Sequence, residues 1–170
     1  MVSSRHVDQD LQVSFSRHLL VDGSNVLHAW SELRALLASD RDTARAQLAQ
    51  QLTAIHDVEQ VRVTIVFDSR GAELAVERPF GDLTFSVLHT PSSLAADDVI
   101  EQLVANSADP SACVVATDDN AERETVAAAG ASVLRAADLQ TWARQAAARQ
   151  TEKVATLRAA AARQWRQPHA

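Results

Sequence analysis

Short apolar runs alternate with stretches of helical periodicity along this chain, and three of the runs end at or beside an aspartate. The runs 19–21, 65–67 and 114–117 lead into Asp22, Asp68 and Asp119. Such alternation is typical of an α/β domain with a mostly parallel sheet covered on both faces. Because parallel strands end at one edge of the sheet, where ligands bind, the sequence predicts that these aspartates gather there.

The remaining pattern predicts the order of the elements. Strands are expected at 18–21, 61–67, 83–88, 113–116 and 131–134. Helices are expected over 26–37, from an N-cap at Asp42, after 91–93, from about Asn120 to a cap at Gly130, and from Ala137 to about Trp165. Gly23 and Gly71 are assigned to turns. The last helix is expected to be anchored by Leu139, Trp142, Val154 and Leu157.

Length and composition exclude several classes of protein. The 170 residues, 46% hydrophobic and 22% charged, fit one compact domain with a buried core. No apolar run approaches the roughly 18 residues of a membrane span, and the start lacks the apolar segment of a secretory signal. We therefore expect a cytoplasmic protein without a membrane role. The lone Cys113, inside an apolar run, rules out a disulfide framework within the chain and a cysteine metal site.

Charge is unevenly distributed along the chain. The net charge is −6, but residues 1–134 carry 9 basic and 20 acidic side chains, and residues 135–170 carry 7 basic and 2 acidic. The acidic part of the chain could bind cations, and the basic C-terminal part could bind polyanions. On charge alone, the simpler interpretation is that the C-terminal part is a charged helix exposed to solvent. We expect a flexible lead-in over 1–17, a domain over 18–145 and a basic helical extension over 146–170.

Two further acids belong to the predicted cluster. Asp97 opens a helix near the same edge, and Glu101 lies one turn later on its face. Clustered carboxylates repel each other unless a cation neutralises them or some are protonated. Such oxygen ligands suit Mg²⁺ or Mn²⁺, which activate water and stabilise charge on a phosphate, so the cluster favours phosphodiester hydrolysis. For any single aspartate, a role as turn residue or helix cap is an equally good explanation.

Four segments, in their order and spacing, resemble the YacP-like NYN domains, which are relatives of the PIN nucleases. They are 21–30 (VDGSNVLHAW), 66–68 (VFD), 96–101 (ADDVIE) and 116–122 (ATDDNAE). The resemblance covers about residues 19–142. It implies a PIN-like three-layer α/β sandwich with a central, mostly parallel sheet, to which the helical pattern after Ala137 adds an extended C-terminal helix. It also implies a metal-dependent endoribonuclease that uses Mg²⁺ or Mn²⁺ and cleaves mRNA in association with the ribosome.

The resemblance also implies roles for individual residues. The metal-binding acids would be Asp22, Asp97 and Asp119, and Asp68 would complete the pocket. Asn25 would orient the first acid or contact a phosphate. Supporting positions behind the ligands would be Glu101, Glu122 and Thr117, and Ser24 and Arg70 would contact RNA. Arg144, Arg149 and Lys153 lie beyond the matched segments, so their expected contact with RNA or the ribosome rests on charge alone. Ser24 and His28 depart from the residues that are common in the family.

Three alternatives to a nuclease can be formulated. An RNA- or ribosome-binding module would keep the acidic pocket and the basic helix 144–166 without cutting. A phospho-acceptor domain needs a lysine near its last strand, but the only lysine is Lys153. A haloacid-type phosphatase needs a second aspartate two residues after the first, and Ser24 stands there. The sequence leaves open the oligomeric state and the RNA specificity.

Overall fold

Six strands form one sheet in the computed structural model, which describes residues 15–166. They are β1 His18–Asp22, β2 Arg62–Gly71, β3 Ala75–Glu77, β4 Phe85–Pro91, β5 Cys113–Ala116 and β6 Ser132–Leu134. Their order is β3-β4-β2-β1-β5-β6, and every pair is parallel except β3 with β4. The predicted mostly parallel sheet is confirmed. Residues 1–14 of the predicted lead-in lie outside the described part of the chain.

Helices cover both faces of this sheet. They are α1 Gly23–Ala29, α2 Ser31–Leu37, α3 Arg41–Glu59, α4 Ala96–Ala105, α5 Asn120–Ala128 and α6 Ala136–Arg166. The core between the sheet and α1, α2, α3 and α6 contains Leu19 and Val21, whereas Leu20 belongs to the core beneath α4 and α5. This alternation follows from the two-residue period of a strand. The predicted three-layer sandwich is therefore confirmed.

Two helix boundaries differ from the prediction. The expected helix over 26–37 is divided at Trp30, whose backbone is extended (φ −82°, ψ 116°). The Trp30 indole Nε1 donates a buried hydrogen bond of 2.8 Å to the Ala136 carbonyl, which fixes this break against the start of α6. The next helix begins after Asp40, not Asp42, because the Asp40 carboxylate accepts the Thr43 N–H at 3.1 Å.

The second strand is longer than expected. It continues past Asp68 to Gly71, and its register with β4 shifts between these two residues. The shift marks an irregularity of the kind that lets a strand bend and continue, so the predicted turn at this point is wrong. Asp68 consequently lies within the strand, on its exposed final stretch.

The last helix is buried only along its first half. Leu139, Ala143 and Ala146 face the core, whereas Val154 and Leu157 are 41% and 62% exposed. The expectation that these two residues are anchors is wrong, because residues 151–166 extend beyond the packed body and almost all of them are exposed. A division of the chain after residue 145 stays a prediction. Among the described helices, not one combines the length and hydrophobicity of a membrane span.

Gly23 is required for close packing rather than for a turn. A Cβ atom at Gly23 would lie 2.4 Å from the Phe67 ring and 2.9 Å from Ile65 Cγ2, so α1 could not keep its distance from β2. We expect Gly23→Ala to lower the free energy of unfolding by about 1–3 kcal/mol, as measured by urea denaturation. Gly71→Ala is the matched control, since its Cβ would meet nothing closer than 3.7 Å. Equal stability of the two variants would contradict this explanation.

His18 predicts a pH-dependent component of stability. Burial and the Arg62 charge lower the pKa of His18 to about 4, and its Nε2 lies 2.8 Å from Thr64 Oγ1. Because the folded pKa is depressed, this stability is present above the ordinary pKa of about 6.5 and is lost as the pH falls toward 4. We expect His18→Gln to gain about 2–3 kcal/mol relative to the wild type across that window, as measured by urea unfolding. The exposed variant His28→Gln should show no such gain.

Candidate functional site

The predicted aspartates lie along one edge of the sheet, at the carboxyl ends of its parallel strands. The central strand β1 has β2 on one side and β5 on the other, and all three run parallel. Asp22 at the end of β1 is in register with Val66, two residues before Asp68. Where the strand order along the chain reverses on either side of a central strand, a crevice forms at the carboxyl ends of the strands. This crevice is the usual ligand site of such sheets.

Four helices begin at this edge, and an aspartate accepts a backbone N–H in the first turn of each. The Oδ1 atoms of Asp22, Asp68, Asp119 and Asp118 accept from Asn25 (3.2 Å), Ala96 (2.9 Å), Glu122 (3.0 Å) and Ala136 (2.9 Å), respectively. Helix N-termini stabilise negative charge, so this arrangement lets several acids share one edge. Each such bond uses one carboxylate oxygen and leaves the second for a ligand. Capping and a functional role are therefore compatible.

The first turn of α1 ties the neighbouring strands together. Asn25 Oδ1 accepts the Asp118 N–H at 2.9 Å, and Ser24 Oγ accepts the Asp68 N–H at 3.2 Å. The fully buried Thr117 contributes in the same way, since its hydroxyl oxygen accepts the Asp119 N–H at 3.2 Å. These residues hold the acidic side chains in place by fixing the backbone beneath them.

A buried pair of carboxyl groups, Asp22 and Glu122, lies at the centre of the site. Their exposed fractions are 8% and 1%, and both carboxyl oxygens of Glu122 are buried. Burial raises the pKa of Asp22 and raises that of Glu122 to about 9. The contact between the two carboxyl groups lowers the pKa of Asp22 and raises that of Glu122, and the Thr117 hydroxyl partly opposes the second effect. The pair therefore requires a proton or a cation.

Other acids extend the negative field of this pair. The charges of Asp68 and Asp97 both raise the pKa of Asp22, and Asp97 also raises that of Glu122. The pKa of Glu101 is also raised, first by slight burial and then by repulsion from Asp97 and Asp98 on the same helix. We call Asp22, Asp68, Asp97 and Glu122 the acidic pocket. Asp119 is exposed, at the first turn of α5.

The acidic pocket suits a divalent ion that keeps several of its waters better than an ion that is ligated by protein groups alone. Within residues 15–166, no three His, Cys, Asp or Glu side chains are grouped so that they could hold a metal ion by themselves. Mg²⁺ usually keeps several waters and takes only one or two protein carboxylates, with substrate phosphates completing its shell. The carboxyl groups of Asp22 and Glu122, which lie side by side, could supply such a pair of ligands.

The predicted RNA-contacting residues fall into two separate groups. Ser24 and Arg70 line a cleft beside the acidic pocket. Arg144, Arg149 and Lys153 are exposed on α6, about 12–26 Å along the helix axis from Ala136 at 1.5 Å per residue. Arg149 is bound to Glu59. The role of the α6 residues in RNA binding stays a prediction.

The sequence pattern predicted Glu122 only in a supporting position. It gave no signal for Arg41 and Arg45, which line the same cleft as Ser24 and Arg70. Glu122 follows the helix cap Asp119 by three residues, a spacing at which glutamate usually turns back to the cap. Here the Asp119 N–H is already bound by Thr117, which leaves Glu122 to face Asp22. The two arginines lie on α3, which the sequence pattern did not connect to the site.

Comparisons with known proteins identify the family of this chain. Residues 19–168 match the YacP-like NYN domain. The chain is 33% identical over 85 residues to the uncharacterized protein YacP of Bacillus subtilis (strain 168), and this match covers 50% of the chain and 49% of the relative. The matched region thus spans about half the length of that curated relative.

Solved structures extend the likeness to most of the chain. The crystal structure of a tryptophan-to-leucine mutant of Rae1 (YacP) from Bacillus subtilis has a TM-score of 0.69 and 27% identity, covering 90% of this chain and 86% of that one. A second crystal structure of Rae1 (YacP) from the same organism has a TM-score of 0.68 and 29% identity, covering 82% and 80%. The chain has the nuclease-like fold of these proteins, and it belongs to the YacP-like NYN domain family.

Proposed function

We propose that this protein is a metal-dependent endoribonuclease that hydrolyses RNA phosphodiester bonds and leaves a 5′-phosphate and a 3′-hydroxyl. The observation that carries the proposal is the buried Glu122 carboxyl group beside the buried Asp22, at the sheet edge of a nuclease-like fold. Two carboxyl groups buried side by side must bind a proton or a cation, and a divalent cation is the ligand that would serve hydrolysis here.

Asp22 and Glu122 would hold Mg²⁺ or Mn²⁺, with Asp97 and Asp119 as further ligands or water-binding groups. When bound, such an ion supplies an activated water and neutralises charge that develops on the phosphate. Asp68 is held by the Ala96 N–H and adds to the negative field that attracts the cation. Asn25 accepts the Asp118 N–H and so keeps the backbone just after β5 in position, which fixes the spacing across the crevice.

RNA is the substrate class that the family favours, and cellular mRNA cut at the ribosome is our specific proposal. The exposed second half of α6 carries Lys153, Arg158, Arg163 and Arg166 against one acid, Glu152. This basic surface complements a polyanion such as ribosomal RNA. The proposed location is the cytoplasm, where such a substrate is found.

A non-catalytic RNA- or ribosome-binding module is the second candidate, favoured by the same exposed basic helix. The two functions differ in what the acidic pocket contributes. A binding module would keep its affinity for ribosomes when the pocket acids are neutralised and would release no RNA fragments with either metal.

The test is RNA cleavage with Mn²⁺ or Mg²⁺, on structured and unstructured substrates. We expect metal-dependent fragments from the wild type, none with a chelator, and roughly 10- to 100-fold slower cleavage by Asp97→Asn. Asp98→Asn is the matched control, because this neighbour is exposed and touches Asp97 only through its backbone N–H. Equal cleavage by the wild type and Asp97→Asn would refute the role of Asp97, and no cleavage by the wild type would refute the activity.

A further inference from the structure

Three arginines line an open cleft of about 660 Å³ next to the acidic pocket. We call it the arginine cleft, after Arg41, Arg45 and Arg70, which come from the start of α3 and the end of β2. Residues 1–134 hold only 9 basic side chains among 20 acidic ones, and three of those nine line this cleft. A local positive surface on an acidic body favours an anionic ligand.

Asp68 borders both the arginine cleft and the acidic pocket. Its carboxylate accepts the Ala96 N–H at 2.9 Å on the pocket side, and its carbonyl oxygen accepts a 2.9 Å hydrogen bond from Arg45 Nη2 on the cleft side. A chain that leaves the acidic pocket over Asp68 and Ser24 therefore enters the arginine cleft directly.

Arg45 is held in place before any ligand binds. Its guanidinium lies 5.0 Å from the centre of the Phe67 ring, and its Nε atom is buried with no hydrogen bond to the described residues. Arg41 and Arg70 are exposed, and Leu27 and Leu37 are the apolar residues of the cleft lining. Guanidinium groups bind phosphate oxygens through two parallel hydrogen bonds, and apolar side chains suit the face of a ribose or base.

The geometry points to the arginine cleft as the site that binds the phosphate backbone of the RNA strand flanking the cleaved bond. This inference rests on the proposed function for the identity of the strand. The cleft has the size of a small-ligand site and holds about one or two nucleotides. Arg41 and Arg70 would contact phosphates, and Arg45 would position Asp68 and close the floor of the cleft.

The test measures RNA binding without cleavage, so that it is separate from the test of catalysis. A fluorescently labelled single-stranded RNA of about ten nucleotides is titrated with protein in a chelator, and anisotropy gives Kd at several salt concentrations. We expect Arg41→Gln and Arg70→Gln each to weaken binding about three- to tenfold and to reduce the slope of log K against log salt by about 0.7. Arg62→Gln is the matched control, since this exposed arginine lies at the opposite end of β2.

The outcomes separate the inference from the proposed function. Weaker binding by the Arg41 and Arg70 variants alone supports the arginine cleft, even if the wild type shows no cleavage. Binding equal to that of Arg62→Gln, an equal loss in all three variants, or no binding by the wild type would overturn the inference. Thermal melting should give the wild-type Tm for each variant, because none of these arginines is buried.

Discussion

Asp22→Asn should reduce RNA cleavage by about 1,000-fold, which corresponds to about 4 kcal/mol of transition-state stabilisation. Asp22 ends the central strand, is 8% exposed, and lies beside Glu122. Asparagine keeps the size and one oxygen of the side chain but removes the charge that would hold a divalent cation. The loss should appear in kcat, and raising the metal concentration should restore little of it.

The same substitution should leave the fold intact. Asparagine caps helices about as well as aspartate, so the bond from the Asn25 N–H to this side chain can be kept. Loss of the negative charge also relieves repulsion from Asp68 and Asp97. Urea unfolding of the metal-free protein should therefore show equal or slightly higher stability. An inactive but clearly destabilised variant would show that Asp22 acts by holding the structure, and an active variant would refute the metal site.

The order of the elements and the layers could be predicted from the sequence, because each depends on local patterns. The short apolar run 19–21 and the aspartate that ends it place Asp22 at the sheet edge without any tertiary information. The break at Trp30 could not be predicted, because the extended backbone there is stabilised by a bond to Ala136, more than 100 positions later. Similarly, only tertiary packing shows that Gly23 is needed because Phe67 lies against it.

The sequence predicts that the acids form a cluster, but it does not predict which of them are buried. Asp22, Asp68 and Asp119 each follow an apolar strand, which gives them equal weight in the sequence. Burial distinguishes them: Asp22 is buried, whereas Asp68 and Asp119 are exposed. The deepest carboxyl group is Glu122, which is on a helix, where an acid is normally solvated. A cost of burial is visible only once the fold is known.

Glu122→Gln should stabilise the metal-free protein at neutral pH by about 1–3 kcal/mol. The folded pKa of Glu122 lies above its ordinary value, so the stability that its protonated form provides is complete below pH 4.5 and is lost as the pH rises toward about 9. Glutamine is neutral throughout this window and can donate a hydrogen bond to Asp22. The advantage of the variant should therefore be small near pH 4.5 and increase toward pH 9, as measured by urea unfolding in a chelator. Glu124→Gln, an exposed change on the same helix, should show no such trend.

Divalent metal should reverse this order of stability, because the carboxylate that destabilises the empty site is the one that binds the ion. At a Mn²⁺ concentration of about 100 times Kd, the wild type should gain about 2.7 kcal/mol, and Glu122→Gln should gain almost nothing. Calorimetric scans with and without Mn²⁺ would measure both gains. A variant that is less stable than the wild type in the chelator would show that Glu122 is a structural acid. Equal gains with Mn²⁺ would place the metal elsewhere and remove the main support for hydrolysis at this pocket.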